Sequence, residues 1–181
     1  DYIVKNTLGE LLKDKTPAEM LLDPVRVLDP ACGSGSFLLG AYQYLLDWYL
    51  EWYTQHDPAR WAKGKTPPLF ETGDGYQLTM EKKKEILTGH IFGVDIDSQA
   101  VEVTKLSLLL KVVENPGQLT LLGERLLPDL GENIKCGNSL IGPDYYDGQQ
   151  MALFDEEERY RVNAFDWTAE YPQAFAKGGF D

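Results

Sequence analysis

The run Val27-Leu28-Asp29-Pro30-Ala31-Cys32-Gly33-Ser34-Gly35-Ser36-Phe37 sets an acid, two glycines and several small side chains between a short β-branched stretch and a long apolar helix pattern. In a parallel α/β sheet such a junction falls at the carboxyl end of a strand, where ligands bind. Gly33 and Gly35 let the backbone turn tightly and approach a ligand. Ala31 and Ser34 keep the loop small, and the helix behind it turns its first amides toward whatever is bound. The spacing is not a dinucleotide fingerprint, because the sixth position counted from Gly33 is Leu38 rather than glycine. Nor is it a phosphate-cradling loop, which needs a lysine that is absent here. Asp29 suits the ammonium group of an amino-acid-like ligand and would repel a pyrophosphate.

Two later stretches add to the constellation. Ile91-Phe92-Gly93-Val94-Asp95 reads as a second buried strand, and an acid at its end can accept hydrogen bonds from both hydroxyls of a ribose. The alternative for Asp95 is an ordinary strand-end turn. Ile96 can pack on an adenine face, and Asp97 is better explained as a helix cap. Ile134-Lys135-Cys136 reads as a third strand. Asn138 follows it with a donor and an acceptor that suit the edge of an adenine ring; an ordinary turn asparagine is the competing reading. Cys32 and Cys136 read as small packing residues, and two cysteines make neither a disulfide framework nor a zinc site. His56 and His90 have no partners that suggest catalysis or metal binding.

These loops need elements to hold them. Apolar residues from Ile3 to Leu12 recur at helical spacing. Thr16-Pro17-Ala18-Glu19 is a capping signature that opens a short helix, closed by Pro24. Val25 to Leu28 is the first strand. Phe37 to Tyr53 is a long helix whose aromatics are expected to pack in the core rather than to stack on bases. Between Gln55 and Gln77 prolines and glycines break every period, which predicts an inserted, mobile loop. Thr79 caps a helix through Leu87, and another runs from Asp97 or Ser98 to Val113 with one broad apolar face. Asn115-Pro116-Gly117 breaks the chain, a short helical or irregular segment leads to Leu130, and Asp155-Glu156-Glu157-Glu158 is a solvated acidic run. A last helix is expected from Thr168 to Ala176. Strands alternating with helices imply an α/β domain with a mostly parallel sheet.

The 181 residues suffice for one domain with a real core, and the 43% hydrophobic and 12% aromatic content is that of a globular chain. No apolar run approaches the roughly 20 residues of a membrane span. The first residues lack the pattern of a secretory signal, and with so few cysteines a reducing cytoplasm is the expected setting. The net charge of −12 is wrong for a surface that holds duplex DNA unaided. If the protein acts on DNA, most of the contact surface lies elsewhere.

Taken in order, the three stretches resemble a known family. Asp29 to Leu38 is similar to the first motif of amino-methylating DNA methyltransferases, Gly93 to Asp97 to the second, and Ile134-Lys135-Cys136-Gly137-Asn138-Ser139-Leu140-Ile141-Gly142 to the third. The last form resembles the large adenine-specific enzymes that combine methylation with restriction, the Eco57I-like or type IIG group. The likeness extends to Asn6-Thr7-Leu8-Gly9 and to Gly178-Gly179-Phe180-Asp181. It implies a Rossmann-like α/β fold for residues 1–181, with an incomplete parallel sheet and flanking helices: a helical lead-in over 1–24, the first motif over 25–54, the insertion over 55–77, the other motifs over 91–140, and a lead-in to a catalytic strand over 141–181. It implies S-adenosyl-L-methionine as cofactor, bound by Asp29, Pro30, Ala31, Cys32, Gly33, Ser34, Gly35, Phe37, Asp95, Ile96, Asn138 and Ser139, with no metal. The family's Asn-Pro-Pro-Tyr motif and its upstream Tyr-Thr-Pro segment have no match here, so no catalytic residue carries over. The expected chemistry is in-line attack of a flipped adenine's amino group on a sulfonium methyl. A chain without the next strand is expected to be inactive alone, to bind cofactor weakly and to dimerise through an exposed sheet edge. An RNA or protein-glutamine methyltransferase, or a nucleotide-binding module without catalysis, stays open.

Overall fold

The computed structural model describes residues 2–114, 127–146 and 160–181. Helix α1 (Tyr2–Leu11) is followed by α2 (Pro17–Leu22), which opens with a complete capping box. The Thr16 hydroxyl accepts from the Glu19 N–H at 3.3 Å, and the Glu19 carboxylate accepts from the Thr16 N–H at 2.8 Å. The Thr16 hydroxyl, which also donates to the Glu19 carboxylate at 2.8 Å, and then the Thr16 N–H hold that carboxyl below its usual range. Strand β1 spans Val27–Asp29, shorter at its start than the apolar run suggests. The Val25 carbonyl is taken by the His90 ring at 2.7 Å instead of by a neighbouring strand.

The long helix α3 (Ser36–Gln55) crosses the sheet and forms the middle of the core. Leu38, Ala41, Tyr42, Leu45 and Tyr49 are buried along it at helical spacing. Its aromatics therefore do pack inward, as their spacing implies. Buried phenols need partners. Tyr42 donates to the Lys83 carbonyl at 2.9 Å, and Tyr49 meets His90 Nε2 at 3.0 Å.

The segment expected to be a mobile loop is structured. It holds the short helix α4 (Pro58–Trp61) and an antiparallel hairpin, β2 (Leu69–Thr72) with β3 (Gly75–Leu78). Leu69 and Leu78 face each other across the hairpin and are both buried in the main core. Two apolar runs joined by Gly73-Asp74 are a hairpin signal, overshadowed here by the surrounding prolines.

Helix α5 (Met80–His90) is capped by Thr79 and continues three residues past Leu87. It leads directly into β4 (Ile91–Asp95). Helix α6 (Ser98–Val113) is capped by Asp97 and buries Val101, Thr104, Leu108 and Val112. Its apolar residues wrap beyond that face, so Val103, Leu106 and Leu110 are exposed rather than part of it. Strand β5 (Ile134–Cys136) completes a parallel sheet of order β1-β4-β5, with Asp29 opposite Gly93 and Asp95 opposite Cys136. A 3₁₀ turn covers Pro143–Tyr146. The expected break at Asn115, the segment after it and the acidic run at 155–158 lie outside the described residues.

The closing helix is two pieces, α7 (Trp167–Glu170) and α8 (Pro172–Phe175), broken at Tyr171. Proline disfavours helical geometry in the residue before it. Tyr171 is also pinned, its hydroxyl donating to the Gly93 carbonyl at 2.9 Å and to the Asn133 carbonyl at 3.0 Å. Phe165, Tyr171 and Ala174 cover the second face of the sheet at Val94, with Phe92 and Phe180 packed beside them. The chain then reaches the free edge of β1. The Asp181 N–H donates to the Arg26 carbonyl at 3.1 Å, and the Asp181 carboxylate accepts from the Arg26 N–H at 2.8 Å.

Candidate cofactor site

The loop between β1 and α3 is shaped by its own backbone and by two neighbours. Asp29 ends the strand and accepts from the Ala31 N–H at 3.1 Å, which turns the chain. Pro30, Ala31 and Ser34 are exposed along its crest. Cys32 folds back under the loop, its N–H on the Val94 carbonyl at 2.9 Å. Gly93 makes this possible, because a side chain there would meet Leu38 Cδ1 at 2.8 Å and the Cys32 sulfur at 3.2 Å. Gly33 and Gly35 have φ of +52° and +81°, the left-handed region that favours glycine. Open space lies where a Gly33 side chain would stand.

Asp95 joins the loop to the second strand end. One carboxylate oxygen accepts from the Gly33 N–H at 2.7 Å and the other from the Asp97 N–H at 2.9 Å. Each oxygen keeps a further lone pair. Asp95 is thus a strand-end turn residue whose carboxylate keeps acceptor capacity. Its neighbour Ile96 is 54% exposed, an apolar side chain standing free at the strand end. Asp97 caps α6 through the Gln99 N–H at 2.9 Å, as its position suggests.

The Cys32 thiol is pushed up to about 11, first by burial and then by the charges of Asp95 and Asp29. It is a protonated packing group rather than a nucleophile. Cys136 differs from expectation, because it is exposed at the end of β5. Its thiol donates to the Ile96 carbonyl at 3.5 Å and accepts from Asn163 Nδ2 at 3.6 Å. It lies directly opposite Asp95, at the last paired position of the two strands.

Asn138 and Ser139 stand farther along this edge. Asn138 forms a bridge with Ala164, its N–H on the Asn163 carbonyl at 2.7 Å. Its side-chain oxygen accepts from the Leu140 N–H at 3.2 Å, so the turn role is real, and its carboxamide nitrogen makes no hydrogen bond among the described residues. The Ser139 carbonyl accepts from the Trp167 indole at 3.2 Å. Phe37 leans on the main core as a half-buried side chain.

Sequence reading missed Thr104. This fully buried α6 residue donates its hydroxyl to the Gly33 carbonyl at 2.8 Å. It also fills the space beside Gly35, where a side chain would come within 2.8 Å of its methyl group. A threonine among the buried positions of an apolar helix face was the available signal.

Asp29, Cys32, Gly33 and Gly35 thus meet Asp95 at adjacent strand ends, with the α3 N-terminus above them. Gly35 is the N-cap of that helix and offers no side-chain hydrogen bond to its first amides. Residues 89–181 match the family model described as Eco57I restriction-modification methylase. The chain belongs to that family. Among individual relatives of this methylase chain, the type II restriction enzyme and methyltransferase RM.Eco57I of Escherichia coli is 35% identical over 92% of the chain. The putative type II restriction enzyme and methyltransferase RM.MjaORFECS2P of Methanocaldococcus jannaschii is 40% identical over 67%. The adenine-specific methyltransferase BrxX of Escherichia coli is 32% identical over 61%. The aligned regions make up 15%, 9% and 7% of those relatives' lengths. The parallel sheet flanked by helices agrees with a methyltransferase-like fold.

Proposed function

We propose that this chain forms the S-adenosyl-L-methionine half of an enzyme that methylates the adenine amino group in DNA. The observation that carries the reading is the Gly33–Asp95 hydrogen bond, which holds a glycine loop and an acid together at neighbouring strand ends. The donor set fits the cofactor. The uncapped α3 amides suit its carboxylate, and Asp29 suits its ammonium group. Asp95 has lone pairs left for the ribose hydroxyls, exposed Ile96 offers a face to the adenine, and Asn138 retains an amide nitrogen for the ring edge. Pro30, Ala31, Ser34 and Ser139 line the approach by backbone, with Cys32 and Phe37 supporting it from below.

S-adenosyl-L-methionine supplies, when bound, an electrophilic methyl carbon on a sulfonium. The residues here serve to bind and orient that donor, a contribution made by positioning rather than by proton transfer. The catalytic contacts to a flipped base belong to other parts of the enzyme. So does most of the DNA surface, because this chain carries a net charge of −12. A cytoplasmic setting follows from a DNA substrate. Among the described residues no helix is long and apolar enough to cross a membrane.

Calorimetry on the full-length protein carrying this segment tests the assignment. Asp95→Ala is expected to weaken S-adenosyl-L-methionine by about tenfold or more, the loss of roughly 1.4 kcal/mol. Unchanged affinity would remove Asp95 from the ribose site. Methyl transfer to RNA or to a glutamine peptide in preference to adenine in DNA would overturn the substrate.

A further inference from the structure

The opposite end of the sheet holds a second site. Side chains alternate across β1 and the residues leading into it. Val25 and Val27 enter the main core, while Arg26 and Leu28 face the other layer. An apolar residue would be expected at position 26. Arg26 is instead 94% buried, with 6% of its surface exposed. Its backbone is engaged by Asp181. Its guanidinium, with five N–H donors, makes no hydrogen bond or ion pair among the described residues. No fully enclosed side-chain nitrogen lacks a partner there, so the guanidinium nitrogens border open space.

That space is a cavity of about 250 Å³, walled by Phe92, Tyr171 and Pro172 and flanked by Lys177. Glu132 and Glu170 also line it, but both are tied to Lys135, at 3.5 and 3.1 Å. Two glutamates and one lysine leave one negative charge, and Arg26 with Lys177 add two positive ones. The cavity is thus net positive within an acidic chain. A buried guanidinium without an acceptor is costly, and its planar fork matches a carboxylate bidentately.

We propose that this cavity binds a small carboxylate, gripped by Arg26, with its apolar body against Phe92 and Tyr171 and Lys177 at the mouth. A single negative charge suits the site. The glutamates at the rim disfavour a phosphate dianion. The cavity lies at the amino ends of the strands and the cofactor loop at their carboxyl ends, so the two sites are separate.

The test is NMR titration of this chain with benzoate, acetate and inorganic phosphate at constant ionic strength, read at the Phe92 and Tyr171 rings. Benzoate is expected to bind saturably one-to-one, acetate more weakly and phosphate weakest. Arg26→Gln should weaken benzoate at least tenfold and Lys177→Ala about threefold, a difference of roughly half a decade in Kd. Arg26→Lys, which keeps the charge without the fork, should fall between wild type and Arg26→Gln. If Arg26→Gln does not fold, Arg26→Lys and Lys177→Ala carry the comparison. Absence of saturable benzoate binding by wild type, or wild-type affinity in both Arg26→Lys and Lys177→Ala, overturns the proposal. Phosphate binding as tight as benzoate overturns the carboxylate assignment.

Discussion

The Thr104 hydroxyl donates to the Gly33 carbonyl at 2.8 Å, joining positions 71 residues apart in the chain. Asp95 grips the N–H of the same glycine at 2.7 Å. One peptide unit on each side of Gly33 is therefore fixed by a different element, α6 on one side and the end of β4 on the other. Thr104→Val should leave the carbonyl without its buried donor at a cost of about 1–2 kcal/mol. Thermal melts and S-adenosyl-L-methionine calorimetry should both register the loss, and Thr104→Ser should restore most of it. An unaltered affinity in Thr104→Val would mean that the loop holds its shape without α6.

Gly35→Ala should be worse. The new methyl would press on Thr104 within 2.8 Å, and φ is +81°. Strain of about 1–3 kcal/mol is expected from the backbone alone. Adding Thr104→Ala relieves the clash but not the backbone, so the double variant should remain less stable than Thr104→Ala alone in denaturant unfolding. Equal stability of these two would show that the dihedral carries no strain.

The two acids after β4 should separate cleanly. Asp97→Ala removes the α6 cap and should cost about 1 kcal/mol of stability with little change in cofactor affinity. Asp95→Asn keeps the shape but loses the charge-assisted bond to Gly33, and should weaken the cofactor more than it lowers the melting temperature. The reverse ranking in paired melting and binding measurements would exchange their roles.

His90 gives the fold a pH dependence. Val25 carbonyl can only accept, so His90 Nδ1 carries the proton and Nε2 accepts from Tyr49. Burial lowers the His90 pKa from its usual 6.5; Lys82 and Arg26 nearby also lower it, while the Val25 bond and Glu85 raise it. With the folded value below the unfolded one, the unfolded chain binds more protons as pH falls. The stability from neutral His90 is present above pH 6.5 and lost as pH drops through its folded value. Urea titrations between neutrality and mildly acid pH should show this slope, and His90→Gln should flatten it. Equal slopes in both proteins would place the titration elsewhere.

Alternation along β1 turns the Leu28 backbone to the same edge as Arg26, where among the described residues Asp181 bonds Arg26 and not Leu28. A buried parallel sheet with such an edge invites a further strand. The isolated chain should transfer no methyl group to DNA and should self-associate. A monomeric light-scattering mass at high concentration, or robust methylation, would contradict these outcomes.

The parallel sheet, the helix caps at Thr16, Thr79 and Asp97 and the packing role of the α3 aromatics could all be read in advance, because period and capping chemistry are local. So could the meeting of Asp29 to Gly35 with Asp95, since strand ends in a parallel sheet must lie side by side. What escaped depended on distant partners. Leu69 and Leu78 became a hairpin because the main core had room for both, which the intervening prolines concealed. Thr104 looked like filler until Gly33 lay beside it. Cys136 was expected inside, but it ends β5 in the open, where no other described strand packs beyond that edge. The break at Tyr171 could have been seen from Pro172, although the pin on Gly93 could not.

That pin also bears on the order in which the molecule assembles. Tyr171 clasps the Gly93 and Asn133 carbonyls from 78 and 38 residues away. Contacts over such distances form slowly, since the chain between them must lose its freedom first. The α3 core and its hairpin can therefore settle early, whereas the second face of the sheet waits for residues 165–180 to arrive. During synthesis, the growing protein would carry Phe92 and Val94 uncovered until that clasp closes.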